Sequence, residues 1–231
     1  MMACTSRTRG IVYSNKPGLP FTANLAALPG HSAFNTASKS VLLEGLRKSY
    51  KWQMHEGSLP LPADKMLESA YEAGLNLQNL VAGKIFVDLG SGRERLPSSV
   101  AFAKSLGAAS YIGVDVCFPD DPIQMLSPLG ATASVMGILL VEANMLDFLQ
   151  LVPPSSPVVA MMNLITGDRE LYFPSGFAYD FFCNAVAKEL TRIVQPGGLA
   201  FGMSSAAFAE LPAKSWRSSK EGGTFFALRV Q

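Results

Sequence analysis

Cysteine and histidine are scarce in this chain: Cys4, Cys117 and Cys183, with His31 and His55, are the full set among 231 residues. The cysteines are odd in number and far apart, with no C-x-x-C pair or Cys/His cluster. Neither a disulfide framework nor a metal site is indicated, and a reducing compartment fits best. Long apolar runs are also missing. Val135–Val141 and Val158–Met162 are too short to cross a bilayer, so no membrane association is expected. No stretch near the start joins a basic region to an apolar core, which argues against a secretory signal and for a cytoplasmic protein. Charged residues make up only 16% of the chain, but 48% is hydrophobic, and that composition excludes wholesale disorder.

Acidic residues are nearly absent from the first quarter. Residues 1–55 hold Arg7, Arg9, Lys16, Lys39, Arg47, Lys48 and Lys51 against Glu44 alone, although the whole chain carries a net charge of only +1. A basic arm for an anionic partner, a solvated leader and an organelle-targeting segment all fit this imbalance. The first thirty or so residues, rich in Gly and Pro, read as tail and loop. Val41, Leu42, Gly45, Leu46 and Ser49 then share one helical face, and a second helix is expected from Asp64 to Gly74 with a stripe of Met66, Leu67, Ala70 and Tyr71. Residues 1–80 thus form a basic leader and helical preface, able to act as a lid.

From residue 81 to residue 231 strand and helix alternate. Ile85–Asp88, Tyr111–Val114, Ile138–Glu142, Val158–Met162, Leu199–Met203 and Phe225–Val230 are the expected strands. Most lack polar alternation, as strands covered on both faces of a parallel sheet do. A helix is expected from Pro97 to Gly107. Another runs from Tyr179 to Val194, with Asp180 in its first turn, Lys188 and Arg192 late, and Pro196-Gly197-Gly198 as its stop. This is an α/β, doubly wound, mostly parallel Rossmann-like sheet with an N-terminal helical extension.

Ligands of such folds bind outside the carboxyl ends of the strands, and Val87-Asp88-Leu89-Gly90-Ser91-Gly92 lies there. The third glycine of a dinucleotide G-x-G-x-x-G is missing, since Arg95 occupies its place, and there is no Gly-Lys-Ser/Thr for a phosphate loop. S-adenosylmethionine (SAM) carries a sulfonium, an ammonium, a carboxylate and an adenosine, but no phosphate. Asp88 is placed to fix its cationic end directly or through water. Asp115, ending Tyr111-Ile112-Gly113-Val114-Asp115, is placed to accept both ribose hydroxyls. Each feature also has a plainer use. The glycines can shape a bare turn, Asp88 can cap a helix or pair with a base, and Asp115 can be a turn residue. The histidines suit a surface, and Tyr50, Trp52 and Tyr71 suit packing of the preface.

From Lys84 to about Val230 the sequence resembles the Rossmann-like (class I) SAM-dependent methyltransferases. Their first motif, acid-x-Gly-x-Gly-x-Gly, reads here Asp88-Leu89-Gly90-Ser91-Gly92-Arg93-Glu94, with Glu94 replacing the last glycine. The resemblance makes Asp115 the ribose acid and sets Val116 beside the adenine. It places Asn144 near the adenine amino group, with the Met145 backbone N–H facing the ring. Asn163 follows the fourth strand, where the methyl donor meets the acceptor. The implied cofactor is SAM and the implied activity is methyl transfer, with no catalytic base identifiable and no metal indicated. A small-molecule acceptor is expected from the near-neutral charge and the lid-like preface. The alternatives are a protein or RNA acceptor docked by the basic leader, or a non-catalytic binding module, which Glu94 would suit.

Overall fold

The computed structural model describes residues 11–25, 28, 63–92, 95–115, 118, 123–129, 136–162, 176–203 and 205–231. The strands are β1 (Ile11–Ser14), β2 (Ile85–Leu89), β3 (Ser110–Asp115), β4 (Gly137–Glu142), β5 (Val158–Met162), β6 (Leu199–Gly202), β7 (Trp216–Glu221) and β8 (Thr224–Arg229). The helices are α1 (Thr22–Leu25), α2 (Ala63–Glu72), α3 (Leu77–Val81), α4 (Leu96–Ser105), α5 (Met145–Leu151), α6 (Gly176–Ile193) and α7 (Ser205–Ala209), with a 3₁₀ segment at Gln124–Leu129. One eight-stranded sheet runs in the order β1-β4-β3-β2-β5-β6-β8-β7. Strands β4, β3, β2, β5 and β6 are parallel, while β1 and β8 run antiparallel to their neighbours β4 and β6. The chain winds outward from β2 through β3 to β4, then returns to place β5 on the other side of β2. That reversal is the switch point beside which ligands bind in open α/β sheets. The fold is α/β, doubly wound and Rossmann-like.

The apolar strands are buried as their composition requires: every residue of β4 and β5 is buried. Alternate side chains feed two cores. Val87, Leu89, Ile112, Val114, Leu139 and Val141 pack under α5 and α6. Phe86, Tyr111, Ile138, Leu140, Met161 and Phe201 pack under α3 and α4. Phe86 is the hub of the second, stacked on Tyr111 at 6.0 Å and edge-on to Phe102 and Phe201 at 6.4 and 6.0 Å. Phe86→Ala should therefore cost about 3–5 kcal/mol, read as a lower midpoint in urea with an unchanged slope.

Four expectations are corrected. The first thirty residues are not all tail and loop, because Ile11–Ser14 adds an edge strand to β4, with Ile11 opposite Glu142. Leu25 and Leu28, further along, are buried in the first core. The α2 stripe is rotated: Met66, Ser69 and Ala70 are buried, whereas Leu67 is 40% and Tyr71 83% exposed. Helix α6 starts at Gly176, so Asp180 lies beyond its first turn. Finally, Trp216–Glu221 is a strand that its polar sequence hid, paired to β8 through Gly222 and Gly223, whose φ values of 53° and 84° suit a tight hairpin. The helix expected near Val41–Ser49 lies outside the described residues, as do His31, His55, Tyr50 and Trp52.

Candidate functional site

The turn after β2 folds back onto the end of β3. The backbone N–H groups of Gly90 and Ser91 both donate to the Val114 carbonyl, at 2.9 and 3.2 Å. Gly90 and Gly92 take φ values of 76° and 65°, a left-handed conformation that favours glycine. The Gly92 N–H donates to Asp115 Oδ2 at 2.9 Å, so the last residue of β3 fixes the turn and the turn fixes the carboxylate. A Cβ built on Gly92 meets nothing within 4 Å among the described residues, which leaves that side of the turn open to a ligand.

Asp88 lies on the closed side. Period-two alternation puts it on the same face as Phe86, and its side chain is 0% exposed. Tyr111 Oη donates to Asp88 Oδ2 at 2.7 Å. Gly113 keeps this corner open, since a Cβ there would stand 3.1 Å from Tyr111 Cε1 and 3.2 Å from Ser91 Oγ. Among the described residues, Asp88 Oδ1 and the buried hydroxyls of Ser91 and Ser99 have no hydrogen-bond partner. Ser99, on α4, still sits close enough to favour the charged form of Asp88. Burial away from water pushes the Asp88 carboxyl up to about 7, against the Tyr111 hydrogen bond that favours ionisation. Burial first, then the adjacent Asp88 charge, hold the Tyr111 phenol well above its ordinary value.

A third acid closes the row. Glu142 ends β4 opposite Asp115 and is buried, and its Oε2 accepts the Phe118 N–H at 3.1 Å. Beyond it, Asn144 caps α5, its Oδ1 accepting the Leu146 N–H at 2.9 Å. That carbonyl oxygen is thus partly committed to the helix rather than held for a ligand. Met145 is the first residue of α5, so its N–H has no acceptor within the helix and is available to one outside it. Val116, Asn163, Arg93 and Glu94 lie outside the described residues. The structure therefore brings together Asp88, Gly90, Ser91, Gly92, Asp115, Asn144 and Met145 at one carboxyl edge of the sheet. It turns Asp88 inward instead of toward the open side.

Similar chain paths occur among solved methylases and methyltransferases. A candidate methylase from Haemophilus influenzae aligns over 73% of this chain and 99% of its own at 14% identity, with a TM-score of 0.46. An rRNA methylase from Streptococcus thermophilus aligns over 67% of this chain and 92% of its own, at 12% identity and a TM-score of 0.42. A geranyl diphosphate C-methyltransferase from Streptomyces coelicolor A3(2) aligns over 59% of this chain and 45% of its own, at 20% identity and a TM-score of 0.39. No model of a known protein family matches the chain, and no curated protein matches it.

Sequence reasoning missed Tyr111, Ser99 and Glu142 as parts of the site. Glu142 had a readable signal: like Asp115, it is an acid at the end of an apolar run. Tyr111 had a weaker one, a hydroxyl inside a strand otherwise fit for burial, which needs a partner there. Among the described residues no cluster of three or more His, Cys, Asp or Glu could hold a metal ion. No described helix is long and apolar enough to cross a membrane.

Proposed function

We propose that this chain is a SAM-dependent methyltransferase acting on a small-molecule acceptor. The observation that carries the reading is the Gly92–Asp115 bond beside the switch point. It sets a carboxylate at the end of β3 next to an open glycine turn, with a buried acid behind it. That donor set suits a ribose and a cationic tail, and it offers no phosphate cradle. Asp115 would accept the ribose hydroxyls, and the Met145 N–H with Asn144 would face the adenine. Gly90 and Gly92 would let the backbone approach the amino-acid end. Val116 and Asn163 are proposed to line the adenine and the methyl-transfer position.

When bound, SAM supplies a methyl group already activated by its sulfonium, so the chain's own task is to position the two reactants and exclude water. Residues 81–231 would form the binding unit, with the preface covering the acceptor. Removing residues 1–38 would also remove β1, so charge reversal is the cleaner test of macromolecular docking. Replacing Lys39, Arg47, Lys48 and Lys51 by Glu should leave activity on a small acceptor unchanged, and a large loss would point to a protein or RNA acceptor.

The cofactor assignment is tested at Asp115. Asp115→Ala should weaken binding of both SAM and S-adenosylhomocysteine by about 1–3 kcal/mol in calorimetric titration, the loss of charge-assisted hydrogen bonds to the ribose. An unchanged affinity would remove Asp115 from the site.

A further inference from the structure

The acid that the glycine motif supplies cannot touch a ligand on the open side of the turn, because its side chain is wholly buried. Asp88 is nevertheless built into the turn's support. Its Oδ2 accepts from Tyr111 Oη, Ser99 lies close enough to act on it, and Ser91 Oγ borders the adjoining corner, 3.2 Å from a Cβ built on Gly113. Ser91 belongs to the turn itself and Ser99 to the helix that follows it. A carboxylate in such a place acts through its field, which falls off slowly where water is excluded.

We infer that Tyr111 is a positioning residue that keeps the Asp88 charge in place behind the glycine turn, so that the site prefers a cationic cofactor over its neutral counterpart without contact between them. This rests on the SAM reading above. SAM and S-adenosylhomocysteine share the ammonium, carboxylate and adenosine and differ in the sulfonium, which is a neutral thioether in the second. Their ratio of affinities therefore reports charge behind the turn, while damage to the shape of the turn weakens both alike.

Among the described residues, few groups face Asp88. Tyr111 and Asp115 come from β3, Arg95 from the residue that caps α4, and Ser99 from α4 itself. Asp115 opposes ionisation of Asp88 and Arg95 favours it. With the Asp88 carboxyl at about 7, the preference for SAM is present above that pH and is lost as protons neutralise it.

The experiment titrates the full chain with SAM and with S-adenosylhomocysteine at about pH 8 and about pH 6. In the native protein the SAM preference should fall by about tenfold on acidification, the size expected of a partly screened charge several ångströms away. Asp88→Asn should give the low ratio at both pH values. Tyr111→Phe keeps the ring that stacks on Phe86, and should move the loss of preference to higher pH, with the midpoint rising by about one unit. Thermal unfolding of each variant checks that the fold is kept, and Asp88→Asn tests the idea even where Tyr111→Phe fails to fold. Binding of both ligands with a ratio unmoved by Asp88→Asn overturns this inference and leaves the SAM reading intact. Equal weakening of both ligands by Tyr111→Phe, with no change in the pH profile, reduces Tyr111 to a packing residue and overturns it too. Failure of the native chain to bind either ligand overturns the SAM reading, and this inference with it.

Discussion

Gly202→Ala is expected to lower stability by about 3–5 kcal/mol, the largest loss foreseen for removing no atom at all. Gly202 ends β6 with φ at 147°, a region that side chains rarely enter. A Cβ there would stand 2.0 Å from the Met162 carbonyl oxygen and 2.8 Å from its carbon. These are backbone atoms of β5, which is itself held between β2 and β6, so no flexible side chain can move aside. For a chain of this size the change corresponds to a fall in Tm of about 6–20 °C. Gly197→Ala is the control. Its φ is 76° but nothing among the described residues lies within 4 Å of the built Cβ, so only the left-handed strain of about 1 kcal/mol is expected. Thermal or urea unfolding of the pair separates the two costs, and equal losses would mean that the approach of β6 to Met162 is looser than described. Gly202 also borders the carboxyl edge, so its variant should bind SAM, the proposed cofactor, more weakly at temperatures where it remains folded.

Asp88→Asn should do the opposite and stabilise the protein, by an amount that grows from about pH 4 and is complete above about pH 7. The folded carboxyl sits at about 7, well above its ordinary value of 3.8, so the folded state holds a proton that the unfolded chain has already released across that window. Stability from this group is therefore full below about pH 4 and declines as pH rises through about 7, where it levels off. Asparagine keeps an oxygen for Tyr111 Oη, and its amide N–H can donate to the nearby Ser99 hydroxyl, which lacks a partner among the described residues. At about pH 8 the variant should exceed the native chain by an amount on the order of a few kcal/mol, and near pH 4 the two should converge. Urea unfolding across this range checks it. A difference that does not vary with pH would show that Asp88 is not the titrating group. A site that keeps a destabilising buried charge fits the role inferred for it, selectivity for a cation at a cost in stability.

Much of this was legible in the order of residues. Six of the eight strands were placed within a residue or two, because double-sided burial leaves uninterrupted apolar runs such as Val158–Met162. The two that escaped are the edge strands. Ile11–Ser14 is short and Trp216–Glu221 alternates with Arg, Ser and Lys, as a strand with one neighbour and a wet face does, so neither carries a core signal. The Gly222-Gly223 pair was the one available cue to β7. At the site, the glycine turn and Asp115 were readable because their spacing along the chain sets their place in space. The direction of Asp88 was not readable. Which face it joins depends on Tyr111 and Gly113, one strand away, and on Ser99 in the next helix.

The open side of the Gly90–Gly92 turn, with Asp115 beside it, is the proposed SAM site. Calorimetric titration of the native chain with SAM, with S-adenosylhomocysteine, and with NAD as a phosphate-bearing control tests it most directly. Saturable one-to-one binding of the first two, weakened by Asp115→Ala and absent for NAD, is the predicted result. Binding of NAD with no response to SAM or S-adenosylhomocysteine would contradict it.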